Sequence, residues 1–214
     1  LAGCLAAMSG IMVACQLEVT NPGPIADVDL NSPAASDAMV YGAMRAYNDA
    51  LGTNGGNFSM CGAVIARELF PSGQTGSFAC SLQQMRNQLP PDGAGEVDRA
   101  QLARWLAENA VTRIQAVRGT AFKDYALAAP LLLYVGYANR ILGEHVCQTV
   151  IDGGPPLSFT AHFVRAESAF TNAIVIAQAQ NKTQFLQAAY AGRASVRTWL
   201  KNWTGAAADA ALVP

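Results

Sequence analysis

The sequence has few charged residues and few histidines. Only 14% of its 214 residues are Asp, Glu, Lys or Arg, whereas ordinary soluble domains have roughly 25%. The formal net charge is −1, with no long run of either sign. We therefore expect neither a nucleic-acid partner nor a membrane surface held by charge alone.

The usual signatures of catalysis and metal binding are also missing. Glu144, His145 and Cys147 are close in sequence, but a helix points neighbouring positions in different directions, so they predict neither a metal site nor a Cys–His pair. The other histidine, His162, is interpreted as a packing or capping residue near a helix start. Gly153-Gly154 precedes two prolines and indicates a turn, not a phosphate loop. The sequence predicts a protein that is not an enzyme and that has no cofactor or metal.

The N-terminus is uncharged and apolar up to a cysteine. Residues 1–14 (LAGCLAAMSGIMVA) have the composition of a secretory signal, and the polar, proline-bearing residues that follow Cys15 have that of a tether. A small residue, Ala14, directly before Cys15 resembles the lipobox of bacterial lipoproteins, in which the cysteine thiol carries diacylglycerol. We therefore predict a signal-peptide remnant over 1–14, lipidation at Cys15, a tether over 15–33 and attachment to a membrane.

Two alternatives to lipidation at Cys15 stay open. Leu1-Ala2-Gly3-Cys4 is a closer lipobox match by residue type, although no apolar region precedes Cys4. The second alternative is a buried N-terminal helix with a core cysteine.

Three further cysteines lie in the predicted mature body. An exported protein is permitted a disulfide, and Cys61 with Cys80 is the pairing we expect, which leaves Cys147 unpaired. Three buried free thiols are the alternative, since all three lie in apolar surroundings.

The apolar periodicity predicts an all-α fold in one domain over 34–214, because no segment shows strand alternation. The most apolar segment, 127–142, is too short to span a bilayer and predicts a core helix that is kinked or restarted at Pro130. Trp105 is expected in the core. Trp203 is the better candidate for exposure, near a turn, although its repeat-like position favours packing. We predict helices over 34–51 (after a Ser32 cap), 58–69, 82–89 and 96–118. A further helix follows Gly119 and ends near Cys147, and the last three cover 160–180, 183–199 and 206–212.

The last third of the chain has the spacing of helical repeats. Ala166, Phe170 and Ala173 follow the small-x3-aromatic-x2-small pattern of the second helix of a tetratricopeptide unit, and Tyr137 lies on a predicted first helix. An ordinary helical bundle is an equally good explanation of this spacing.

Several segments together resemble the SusD/RagB-like family of surface lipoproteins. They are Cys15 with the following LEVTNP and Ile25, then YANRILGE from Tyr137, RAESAFTNAI from Arg165, AGRA from Ala191, and Asn202-Trp203. The resemblance implies a tetratricopeptide-like scaffold. It also implies that the chain is either an N-terminal fragment or a minimal relative, because family members are considerably longer.

The resemblance implies a function as well. We expect an outer-membrane lipoprotein, exposed at the cell surface, that binds an oligosaccharide or peptide and works with a TonB-dependent, SusC-like barrel transporter. No residue of this chain matches the ligand-binding aromatics of the family, so none is assigned. The alternative is a helical-repeat scaffold lipoprotein that binds other proteins of the cell envelope.

Overall fold

The computed structural model of the chain describes residues 26–53, 58–70, 82–88 and 95–214. These residues are overwhelmingly helical, so the predicted all-α fold is confirmed. The α-helices of the described ranges are α1 (Ser36–Asn48), α2 (Phe58–Ile65), α3 (Leu82–Met85), α4 (Gly95–Arg118), α5 (Ala128–His145), α6 (Thr160–Ala179), α7 (Thr183–Trp199) and α8 (Trp203–Ala210). Three 3-10 segments (Asp27–Leu30, Pro33–Ala35 and Gly119–Asp124) and a π-helical segment, Asp49–Thr53, accompany them.

Helix α5 lies at the centre of the fold. It packs against α1, α4, α6 and α7, and 13 of its 18 residues are buried. Pro130 is its third residue, where the missing N–H breaks no intrahelical bond, so the predicted restart there is confirmed. In the described ranges, no single helix has the length and apolar composition that crossing a membrane requires. Val97–Asp124 and Ala128–His145 meet that test only as a pair bent by 118°.

Helix α4 faces the core with small side chains. The residues that it buries are Ala100, Ala103, Arg104, Ala107, Ala110 and Ile114. Leu102 and Trp105 are about half exposed, at 53% and 48%, so the prediction of Trp105 in the core is wrong. Alanines let α4 approach its neighbours closely, and the bulkier side chains of the helix are therefore left at the rim of the contact.

Helices α5, α6 and α7 pack as an antiparallel series. Gly143 of α5 contacts Phe163 of α6, and Gly136, seven residues earlier in α5, contacts Phe170, seven residues later in α6. On the other side, Phe170 contacts Gly192 of α7. Helix α8 follows after a three-residue turn and packs on α7.

A short hairpin between α5 and α6 was not expected from the sequence. Strand β1 (Gln148–Val150) pairs antiparallel with β2 (Pro156–Ser158). Strands of three residues are too short to show alternation. The turn contains Asp152 and Gly153 with φ of 52° and 75°, a left-handed conformation that Asp and Gly adopt readily.

The end of the predicted tether is attached to the fold. Arg113 of α4 donates from Nη2 to Asp27 Oδ1 (2.7 Å) and from Nη1 to Asn31 Oδ1 (3.0 Å). The last residues of the tether predicted over 15–33 are therefore bonded to α4. Residues 1–25, with Cys15, lie outside the described residues.

Several helix ends differ from the predictions. Ser32 does not cap a helix with its side chain. Its hydroxyl donates to the Asp29 carbonyl oxygen (3.0 Å) instead. Helix α2 ends before the predicted residue 69 and α3 before 89. Helix α8 begins three residues earlier than predicted because Asn202 Oδ1 accepts a bond from the Gly205 N–H (3.0 Å).

Candidate functional site

A groove of about 680 Å³ lies between α4 and α6, with α5 as its floor. The floor is apolar and is formed by Leu132 and Val135. The side chains that give the walls their chemistry are Trp105, Glu108 and Asn109 of α4, Asp152 of the hairpin turn, and Arg165 and Asn172 of α6. We call this the α4–α6 groove.

Trp105 gives the α4–α6 groove a flat apolar surface. Its side chain is about half exposed although indole rings are usually mostly buried. Val164 on the opposite wall is also exposed (58%). A ring-shaped ligand could pack on the indole while its polar groups reach the charged residues beside it.

Charged residues of alternating sign line one end of the groove. Glu108 Oε2 accepts from Arg104 Nη1 (2.6 Å) and from Arg165 Nη1 (3.1 Å). Arg104 Nη2 in turn donates to Asp152 Oδ1 (2.8 Å). The buried Arg104 therefore holds two carboxylates at the groove wall and neutralises much of their charge.

Some hydrogen-bonding capacity in the groove is unused. Among the described residues, the side chains of Ser168 and Asn172 have no partner, and Arg165 uses only Nη1. Asp152 is half exposed beyond its bond to Arg104. These groups are available to a ligand with hydroxyl, amide or carboxylate groups.

A buried polar cluster supports the groove from behind. His162 of α6 is fully buried, with Nδ1 2.8 Å from Asn139 Oδ1 and Nε2 2.9 Å from Thr149 Oγ1. Asn139 Nδ2 donates to Glu108 Oε1 (2.9 Å). His162 therefore connects to the groove through Asn139. Of the two interpretations made from the sequence, packing and capping, its full burial agrees with packing.

Burial and charge shift two pKa values here. Burial, reinforced by the positive charge of Arg104, lowers the pKa of His162 to about 4, and Glu108 opposes this only in part. The hydrogen bond from Arg104 lowers the pKa of Asp152, and burial opposes it. Near neutral pH the cluster therefore contains a neutral imidazole and an ionised Asp152.

Sequence reasoning did not assign Arg104, Glu108 or Arg165 to a site. One signal was available for Arg104, which follows Ala100 by four residues and precedes Ala107 by three. It thus shares the face of a small-residue stripe. A charged side chain on such a face must find buried partners. No comparable signal identifies Arg165, whose partner Glu108 is 57 residues away.

The predicted cysteine sites have different outcomes. Cys61 is disulfide-bonded, whereas Cys147 is free and exposed. The alternative of three buried free thiols is therefore wrong. Cys80 lies outside the described residues, so the Cys61–Cys80 pairing stays a prediction, as does lipidation of Cys15.

The neighbours Glu144, His145 and Cys147 are not assembled into a site. Glu144 pairs with Arg140 (2.8 Å), and His145 Nδ1 lies 2.8 Å from the Ile141 carbonyl oxygen. In the part of the chain that the structure describes, no group of three or more His, Cys, Asp or Glu side chains has the arrangement to hold a metal ion.

A second groove, of about 380 Å³, lies on the opposite face of α5, between α1 and α7. Its lining is mostly apolar and includes Tyr41, Tyr47, Tyr134, Tyr137 and Phe185. Tyr137 donates its hydroxyl to the Ala188 carbonyl oxygen (3.0 Å) and is therefore partly engaged. We call this the tyrosine groove.

Comparisons with protein-family models, with curated proteins and with solved structures found no match. The SusD/RagB-like resemblance therefore depends on the sequence motifs alone.

Proposed function

We propose that the chain is the ligand-binding part of an outer-membrane lipoprotein of the SusD/RagB-like kind. In this proposal, lipid on Cys15 anchors the protein at the cell surface. The helical module captures an oligosaccharide or peptide and passes it to a TonB-dependent barrel transporter. The antiparallel series α5–α6–α7, continued by α8, supports a tetratricopeptide-like scaffold.

The observation that carries the proposal is the α4–α6 groove. It combines the half-exposed indole of Trp105 with the unused hydrogen-bonding groups of Arg165, Asp152 and Asn172. Sugar rings and peptide side chains both match this combination, because each offers an apolar face and polar edges. In this proposal the α4–α6 groove binds a ligand without chemically changing it, as expected of a protein that is not an enzyme.

The direct test is binding to defined arrays of oligosaccharides and of short peptides. We expect selective binding to one array, and at least tenfold weaker binding by Trp105→Ala, since loss of one buried aromatic contact costs about 1.4 kcal/mol or more. Trp203→Ala is the matched control, because Trp203 is exposed (64%) but does not line the groove. Equal losses in both variants, or none in Trp105→Ala, would contradict binding in this groove.

The cellular test is co-purification from the native membrane. We expect a large barrel transporter with the wild-type protein, and release of the Cys15→Ser variant from the membrane. Retention of that variant with an unprocessed N-terminus would exclude the anchor.

The tyrosine groove favours the second candidate, a scaffold for another envelope protein. Tyr41 is 56% exposed at its edge, and exposed tyrosines are common where proteins bind each other. A stoichiometric envelope complex that Tyr41→Glu abolishes and Trp105→Ala leaves intact would favour the scaffold over nutrient capture.

A further inference from the structure

Six side chains behind the α4–α6 groove form a closed ring of hydrogen bonds. In order, the ring contains Arg104, Gln101, Thr149, His162, Asn139 and Glu108, and Glu108 bonds back to Arg104. It joins α4, β1, α6 and α5, elements that are far apart in sequence.

The orientation of the Asn139 amide is determined by its neighbours. Its Nδ2 lies 2.9 Å from Glu108 Oε1 and 3.0 Å from the Val135 carbonyl oxygen. The carboxylate of Glu108, which is paired with Arg104 and Arg165, and a backbone carbonyl oxygen both accept hydrogen bonds, so the atom facing them must be the NH₂ group. Asn139 Oδ1 therefore faces His162 Nδ1 (2.8 Å), and that ring nitrogen must carry the proton.

The other half of the ring is compatible with the same tautomer. Arg104 Nε only donates, so the atom of Gln101 at 2.9 Å from it must be Oε1. Gln101 Nε2 then donates to Thr149 Oγ1 (3.2 Å), and the Thr149 hydroxyl has its own hydrogen to donate to an unprotonated His162 Nε2 (2.9 Å). The Asn139 contact thus assigns a proton to Nδ1, and burial, which lowers the pKa of His162 to about 4, keeps the ring neutral with Nε2 as the acceptor.

This tautomer orients the side chains between His162 and the groove wall. His162 Nδ1–H engages Asn139 Oδ1, which directs the Asn139 NH₂ toward Glu108 Oε1. With that oxygen held, Glu108 Oε2 is directed toward Arg104 Nη1 (2.6 Å). Arg104 is then held with its Nη2 on Asp152, the half-exposed carboxylate of the groove wall.

We propose that His162 is a positioning residue for the α4–α6 groove. As its Nδ1–H tautomer, it holds the Glu108 carboxylate in its orientation at the groove wall. Through Glu108 and Arg104 it holds the Asp152 carboxylate as well. Its importance for ligand binding rests on the proposed function of the α4–α6 groove. The ring itself is tested in the protein without ligand, so a groove that bound no nutrient would leave this test unaffected.

The first measurement needs no variant. Histidine ¹⁵N spectra of the wild-type protein at pH 7 should show His162 Nδ1 as protonated and Nε2 as unprotonated. A protonated Nε2, alone or together with Nδ1, would overturn the proposal.

Two substitutions separate positioning from general packing. The amide nitrogen of His162→Asn occupies the place of Nδ1 and retains a donor for Asn139. The amide of His162→Gln reaches the place of Nε2 and retains only the contact with Thr149. His162→Asn leaves the larger void, so a purely structural role would disturb His162→Asn at least as much as His162→Gln.

We expect the Asn139 side-chain NH₂ hydrogens to exchange with water slowly in wild type and in His162→Asn. In His162→Gln they should exchange about tenfold faster or more, because the amide is then free to rotate. His145→Gln is the control, since among the described residues the ring nitrogens of His145 have a single hydrogen-bond partner, Ile141 of α5. Equal exchange rates in the two His162 variants would overturn the positioning role.

Discussion

Phe170 of α6 packs its ring directly against the backbone of Gly136 of α5. A Cβ placed at Gly136 would lie 2.5 Å from Phe170 Cε1, closer than two carbons can approach. On the opposite side, Gly192 of α7 has the same relationship to this ring, again at 2.5 Å. Two glycines on separate helices therefore allow one buried aromatic ring to connect α5, α6 and α7.

Gly136→Ala should destabilise the protein even though alanine is the better helix former. Overpacking against a fully buried ring costs about 1–3 kcal/mol, which exceeds the ~1 kcal/mol that alanine contributes in a helix. Urea denaturation monitored by circular dichroism measures the difference. Gly42→Ala on α1 is the matched control, because no described atom beyond its chain neighbours and the local helix backbone lies within 4 Å of the added methyl. This control should be slightly stabilising, and a similar gain in Gly136→Ala would show that Phe170 moves away at little cost.

Asp209 should hold α8 in place. Its buried carboxylate accepts from Arg193 Nη2 (2.7 Å) and Arg197 Nη1 (2.8 Å) of α7. Removing one partner from such a cluster leaves the others uncompensated, so Asp209→Asn should cost about 3 kcal/mol. In this variant the backbone amides of α8 should exchange with water faster than in wild type, and the increase should be larger in α8 than in the other helices. Arg45→Gln, which breaks an exposed pair with Asp49, should leave exchange in α8 unchanged.

Stability should fall as the pH decreases from about 6.5 to about 4 because of His162. The pKa of His162 is lowered to about 4 in the fold, so the unfolded chain binds a proton first as the pH falls. The pKa difference corresponds to about 3 kcal/mol, present above pH 6.5 and lost by about pH 4. The charged groups that face the ring are Arg104 and Glu108 of α4 and Arg165 of α6.

The measurement compares wild type with His162→Asn by urea denaturation at pH 7 and pH 4. Wild type should lose more stability than the variant over this range, because carboxylates such as Asp152 contribute equally to both. His145→Gln should behave as wild type does. Parallel losses in wild type and His162→Asn would show that His162 does not titrate in this way.

The cysteines should differ in reactivity. Iodoacetamide should modify Cys147 in the native protein, because its thiol is free and exposed. It should modify Cys61, which is disulfide-bonded, only after reduction. Peptide mapping without reduction should recover Cys61 linked to Cys80, and a link from Cys61 to any other cysteine would contradict the predicted pairing.

The sequence predicted the helices well where periodicity and breaking residues agree. Helix α7 has the predicted bounds, and Gly119, a breaking residue directly after α4, has a positive φ of 55°. Trp203, for which the sequence left exposure and packing open, is exposed. Helix ends that depend on local side-chain bonds, such as the Asn202 cap of α8, were predicted less well.

The sequence by itself determined the all-α class, the central position of α5 and the order of the helices, because these follow from local apolar patterns and from prolines and glycines. Only the tertiary structure placed Trp105 at a groove, since exposure depends on which neighbours a helix approaches. It also joined Arg104, Glu108, Asn139, Thr149 and His162. These side chains come from separate elements, and their hydrogen bonds depend on distances and orientations that no local pattern in the sequence contains.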